Sequence, residues 1–197
     1  MTDKRVAVLF ARRDSIYKRY PHCDVYDVDR DARTYGGDLP IIAHPPCRAW
    51  GALRRFAKPA PGEKELAIWA IDRIRSNGGV LEHPRASSLW PALGLPTGRD
   101  VDQWGGFTLD VNQSWWGHLA QKRSFFYVCG CLRRDVPTIP LSLSLPKKVV
   151  ATSRSRKGSS GVHLPKSLRE VTPPHMAEWL ISLALAISER RADGEAA

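Results

Sequence analysis

Apolar positions along the chain fall into short β-rich runs that alternate with stretches of helical period. RVAVLF (5–10), DVYDV (24–28), PIIA (40–43), GGVLE (78–82) and SFFYVCG (124–130) are rich in β-branched or aromatic residues and bounded by turn formers, so each predicts a strand. Between the third and fourth lies PGEKELAIWAIDRIRSNGG, in which Leu66, Trp69, Ala70 and Ile74 share a stripe and Gly78 and Gly79 stop the pattern. Near the other end, VTPPHMAEWLISLALAISERR predicts a second long helix. There Thr172 is the expected N-cap and Pro173 falls in the first turn, while Met176, Trp179, Leu180, Leu183 and Ile187 line one face. Strands alternating with helices predict an α/β fold, Rossmann-like, with a mostly parallel sheet covered by helices, as one domain over residues 1–197.

Two stretches break the alternation. Residues 84–117 hold prolines, glycines and Trp90, Trp104, Trp115 and Trp116, and read as an ordered loop whose tryptophans either pack it or stack an extruded base. Residues 136–169 contain no acid but carry Lys147, Lys148, Arg154, Arg156, Lys157, Lys166 and Arg169. Within them TSRSRKGSSG reads as a basic loop in which Arg154, Arg156 and Lys157 are placed to meet phosphates.

Composition narrows the function classes. An apolar fraction of 43% suffices for a core, and a net charge of +10 fits either a polyanionic partner such as nucleic acid or a merely basic surface. No apolar run reaches the length of a membrane span, and no charged start followed by a long apolar stretch marks a signal peptide. Four cysteines in 197 residues do not make a disulfide framework, so a reducing cytoplasm is the expected setting. Cys129 and Cys131, even with His44 and Cys47, lack a zinc-finger spacing, and no metal is expected.

Candidate chemistry centres on IIAHPPCRAW and GGVLE. Cys47 follows one strand and Glu82 ends the next, with a single helix between them, the usual crossover between neighbouring parallel strands. A thiol and a carboxyl group at one sheet edge suit addition to C6 of a cytosine: an acid protonates N3, the sulfur adds to C6, and C5 becomes nucleophilic. Pro45 and Pro46 stiffen the loop that presents the thiol. His44 and His83 flank the pair, either tuning a proton or making structural hydrogen bonds.

These segments resemble the C5-cytosine DNA methyltransferases, above all the compact members of phages and prophages. HPPCRAWG looks like the family's Pro-Cys nucleophile loop, and VLEHP is similar to its Glu-Asn-Val segment, with Glu82 at the glutamate. WWGHLAQKRSFFYVCG resembles the Gln-x-Arg-x-Arg segment and the strand after it, DVYDVDRDARTY the end of the second strand, and VTPPHMAEWLISLALAI the last helix. The resemblance implies Cys47 as nucleophile, Glu82 as the acid at N3 and Arg123 as a residue holding the base. Pro46, Arg48, Gln121 and Lys122 then fall on the substrate and DNA side. It further implies S-adenosylmethionine, or a derivative of it, as donor, with Phe10, Asp27 on the ribose and Asp38 toward the adenine; Asp38 also reads as a plain turn acid after Gly36 and Gly37.

Three departures modify these expectations. Arg12, Arg13 and Asp14 stand where the family's glycine loop meets the cofactor, so the arginines could instead meet an anion, such as a phosphate or the carboxylate of a modified donor. Phe125 replaces the second arginine of Gln-x-Arg-x-Arg. No large recognition region follows the last strand, which favours weakly specific DNA binding through phosphates. Two rival functions remain: the same chemistry on a free pyrimidine nucleotide or with another donor, and a catalytically inactive DNA-binding or host-interaction module.

Overall fold

The structure is a computed structural model and describes residues 3–142, 146, 148–149 and 162–195. Its strands are β1 (Val6–Leu9), β2 (Cys23–Val25), β3 (Ile41–Ala43), β4 (Gly79–Pro84), β5 (Phe107–Asn112), β6 (Ala120–Gln121), β7 (Arg123–Cys129), β8 (Lys148–Val149) and β9 (Val162–His163). The α-helices are α1 (Glu65–Asn77), α2 (Leu89–Leu93), α3 (Lys166–Arg169) and α4 (Pro174–Glu195). All five strands expected from the pattern are present, with ends shifted by a residue or two or, at β2, three.

Six strands form the main sheet in the order β2-β1-β3-β4-β7-β5. β2, β1, β3 and β4 pair in parallel, whereas β7 runs antiparallel to both β4 and β5. The sheet is therefore mixed, because β7 enters between β4 and β5 in the reverse direction. The basic stretch supplies β8 and β9 to a second, three-stranded parallel sheet with β6. TSRSRKGSSG, with Arg154, Arg156 and Lys157, lies outside the described residues.

Both faces of the main sheet are covered, which is why its central strands read as unbroken apolar runs. Val6, Val8, Ile42, Val80, Phe126 and Val128 pack on one face against Met176, Leu180, Leu183 and Ile187 of α4. On the other, Ala7, Leu9, Ile41, Ala43, Leu81 and Tyr127 meet Ala67, Ala70, Ile71 and Ile74 of α1. The face expected of α4 is the face it buries, although the helix begins at Pro174, past Thr172. In α1 the buried seam is rotated from expectation: Ala67 and Ile71 are buried while Leu66 and Trp69 are partly exposed, since the small alanines let the helix lie close to the sheet.

Two glycines join α1 to β4. Gly78, at φ 74°, ends the helix and returns its N–H to the Ile74 carbonyl, and a Cβ there would lie 2.6 Å from Ile187 Cγ2. Gly79, at φ 139°, opens β4 so close to β3 that a Cβ would overlap the Ile41 backbone.

The stretch 84–117 is more ordered than its composition suggests. It contains α2, β5 and a single 3-10 turn over Gln113–Trp116. Trp90 donates from Nε1 to Thr108 Oγ1 at 2.9 Å and packs on Phe125, while Trp116 packs against Phe126 and Trp179. Both are buried, which leaves neither face free to stack a base. Among the described residues no helix is long and apolar enough to cross a membrane.

Candidate active site

β1 and β3 are adjacent and parallel, but the chain leaves their carboxyl ends in opposite directions: β1 leads to β2 on one side, β3 to β4 on the other. A crevice forms where strand order reverses. Here it is a cavity of about 620 Å³, lined by Phe10, Arg12, Asp14 and Ser15 after β1 and by His44, Pro45, Pro46, Cys47 and Arg48 after β3. Glu82, Lys122, Glu170 and Thr172 complete the wall. Phe10 holds a left-handed φ of 60°, rare for a residue with a side chain, right at the β1 exit.

Local contacts fix the loop that carries the thiol. The Cys47 carbonyl accepts from the N–H groups of Trp50 (3.0 Å) and Gly51 (2.7 Å). Trp50 donates from Nε1 to the Lys64 carbonyl at 2.9 Å and accepts from Ser88 N–H at 2.8 Å, tying the loop to α1 and α2. Arg48 Nε lies 2.6 Å from Glu63 Oε1, whose other oxygen takes the Ala60 N–H. Burial pushes the Cys47 thiol up; the Glu82 charge adds to this and the Lys122 charge opposes it. At neutral pH the sulfur rests protonated.

The β3–β4 pairing sets Ala43 opposite Leu81, so Cys47 and Glu82 project from neighbouring strands into the same cavity. Glu82 Oε1 accepts from Gln113 Nε2 at 2.7 Å and Ser124 Oγ at 2.8 Å, with Lys122 Nζ at 3.7 Å. Oε2 lies 3.4 Å from His44 Nδ1. Burial disfavours the charge, yet Lys122, His44 and Ser124 together hold the carboxyl well below the usual carboxylate range. Glu82 therefore rests as an anion, not as the stored acid expected from the sequence.

Strand alternation decides which basic residue reaches it. Ser124 faces Glu82, so Lys122 shares its side and Arg123 points the other way. Arg123 instead pairs with Asp110 at 2.8 Å, outside the cavity. Gln121 is exposed in the second sheet. His83 is likewise turned from Glu82: it is fully buried, bonds Ser87 Oγ at 2.7 Å, stacks on Trp90, and is pushed down to about 4 by burial.

The cofactor residues are only partly assembled. Phe10 lines the cavity, but Asp27 does not; its carboxylate is taken by Lys18 Nζ at 2.5 Å and the Asp29 N–H at 2.9 Å. Asp38 precedes β3 and so sits at the opposite edge of the sheet from Cys47. Arg12 is engaged by Asp14 at 2.9 and 3.0 Å and donates to the Ser167 carbonyl, and Arg13 is paired with Asp29. Neither guanidinium is left unpaired for an anion.

Gln113, Ser124 and Tyr17 have no part in the sequence-based site. Ser124 could have been placed by counting alternate positions along 123–129. Gln113 lay within an apparent loop, and Tyr17 within a strand exit. The four cysteines are free thiols, and among the described residues no group of three His, Cys, Asp or Glu side chains could hold a metal.

Fold and cavity together define an α/β protein with a thiol and a carboxylate at one open sheet edge. Comparison with protein-family models, curated proteins and solved structures found no match.

Proposed function

We propose that the protein is a cytosine C5-modifying enzyme of the C5-cytosine DNA methyltransferase kind, with Cys47 as nucleophile and Glu82 as the group that passes a proton to N3. The observation that carries this is the meeting of Cys47 and Glu82 in one cavity, at the carboxyl ends of paired parallel strands. A Rossmann-like reading of the sheet belongs to the same proposal, supported by the reversal of strand order at the cavity.

The covalent step balances without an outside acid. The Cys47 sulfur bonds to C6 as its proton departs, and N3 gains a proton through Glu82, leaving C5 as an enamine carbon. C5 then takes an electrophile and gives up its hydrogen to water as a proton; the sulfur leaves C6 with the electron pair of its bond and takes back, through Glu82, the proton held at N3, which restores both the ring and the thiol. Lys122 assists both ends, drawing the thiol toward its thiolate and holding the carboxylate. Lys122 lines the cavity, whereas Arg123, expected to hold the base, pairs with Asp110 outside it. A base within a duplex must be flipped out to reach this cavity, whereas a single strand or a free nucleotide needs no such step.

An S-adenosylmethionine site of the implied kind does not fit these residues. Asp27 is occupied by Lys18, Asp38 is at the opposite edge, and the Arg12–Asp14 pair stands at the strand exit in place of the family's glycine loop. No step is therefore assigned to that donor.

Exchange of the C5 hydrogen with solvent needs only the thiol and the proton at N3, so it tests the reaction without a donor. In D₂O the wild type should place deuterium at C5 of dCMP, of a single-stranded oligonucleotide or of a duplex, read by mass spectrometry, and Cys47→Ala should place none. No exchange in any of the three substrates would remove the covalent reading; the pattern among them separates nucleotide from polymer. Mass spectrometry of DNA nucleosides from expressing cells then identifies the group transferred.

A further inference from the structure

Glu82 presents two unequal oxygens. Oε1 is held by Gln113, Ser124 and Lys122, whereas the only polar contact of Oε2 among the described residues is His44 Nδ1 at 3.4 Å. The other nitrogen of that ring, Nε2, lies 3.2 Å from Tyr17 Oη. Tyr17 comes from the 3-10 turn Ile16–Arg19 and is completely buried in the core beneath the cavity.

Both ends of this chain have fixed roles. An ionised carboxylate can only accept, so His44 Nδ1 must carry a hydrogen. In the neutral ring Nε2 is then bare and accepts from Tyr17 Oη–H, a phenol that burial keeps protonated by raising it well above its ordinary range. One tautomer satisfies both partners. The main chain that carries the ring is pinned as well, since the His44 backbone N–H donates to the Leu9 carbonyl at 3.0 Å. The loops leaving β1 and β3 are thereby tied together beneath the carboxylate.

We infer that Tyr17 and His44 are positioning residues: Tyr17 holds the His44 ring at Nε2, and His44 Nδ1–H aims Glu82 Oε2 at the cavity, where N3 of the base would meet it. The inference rests on the proposed role of Glu82. It goes beyond that role in assigning one carboxylate oxygen to the substrate and the other to the scaffold. Glu82 and Tyr17 face the ring directly, and Lys122 faces the carboxylate from β6–β7.

The C5 exchange assay, applied to variants that remain folded by circular dichroism, tests it. His44→Leu should lose about 100-fold in exchange rate, and His44→Asn, which keeps an N–H near the site of Nδ1, should recover to within about tenfold of wild type. Tyr17→Phe should slow exchange several-fold. Nitrogen-15 spectra should show the Nδ1–H tautomer of His44 in the wild type and in Tyr17→Phe, with the Nε2 resonance displaced in Tyr17→Phe by loss of the phenol hydrogen bond. Exchange by the wild type that is unchanged in Tyr17→Phe and His44→Leu overturns this inference and leaves the Cys47 reaction standing; so does His44→Asn as slow as His44→Leu. Where His44→Leu does not fold, Tyr17→Phe, lacking one oxygen, carries the test through both the rate and the Nε2 resonance. No exchange by the wild type overturns both proposals.

Discussion

Cys47 sits between opposed charges, and that balance governs its reactivity. Glu82 and burial favour the thiol; Lys122 favours the thiolate. Alkylation of Cys47 by iodoacetamide should therefore show an inflection above that of an ordinary free cysteine. Lys122→Gln should move it higher and slow alkylation several-fold at pH 8, while Glu82→Gln should move it lower. An unchanged inflection in both variants would mean that neither charge acts on the sulfur. At this scale the sequence pointed to Cys47 and Glu82 at one sheet edge, and both line the cavity, whereas Arg123, expected beside them, pairs with Asp110, because the side of a strand a residue faces depends on register. The neighbour Lys122 is the one that meets the carboxylate.

Between elements, the β3–β4 pairing controls whether thiol and carboxylate meet. Gly79 stands opposite Ile41 with no room for a side chain. Gly79→Ala must shift β4 away from β3, and is expected to destabilise the fold by about 2 kcal/mol or more, measured by urea unfolding, with a larger fractional loss of C5 exchange than of folded protein. Gly62→Ala, also at positive φ but with nothing within 4 Å of its Cβ, should cost less, about 1 kcal/mol. The strands β1, β3, β4 and β7 were legible because strands buried on both faces read as unbroken apolar runs. β5 was not: Phe107, Leu109 and Val111 alternate with Thr108, Asp110 and Asn112, but the strand lies in a stretch whose prolines, glycines and tryptophans read as loop.

For the molecule as a whole, acid stability follows from groups fixed by the fold. His83 is buried neutral and pushed down to about 4, so the unfolded chain binds its proton first and stability is lost as pH falls from about 6.5 toward 4, by about 3 kcal/mol. Glu82, held low, adds a further loss as pH falls below about 4.3, its range in the unfolded chain. With 30 lysines and arginines against 20 acids, protonation also increases self-repulsion. Urea unfolding from pH 7 to 4 should show the decline, and His83→Asn should flatten its upper part; an equal decline in both would assign it elsewhere. Hydrophobic period, turn residues and the Pro-Pro-Cys exit are local properties, so the sequence by itself determined the α/β class, the central strands, the buried face of α4 and the placing of Cys47 and Glu82 at one sheet edge. What only the tertiary structure decided depends on neighbours distant in the chain: the reversed β7, Lys122 in place of Arg123, the anionic state of Glu82, and the Tyr17–His44 contact beneath it. Those features arise from strand register and burial, which exist only once the sheet is assembled.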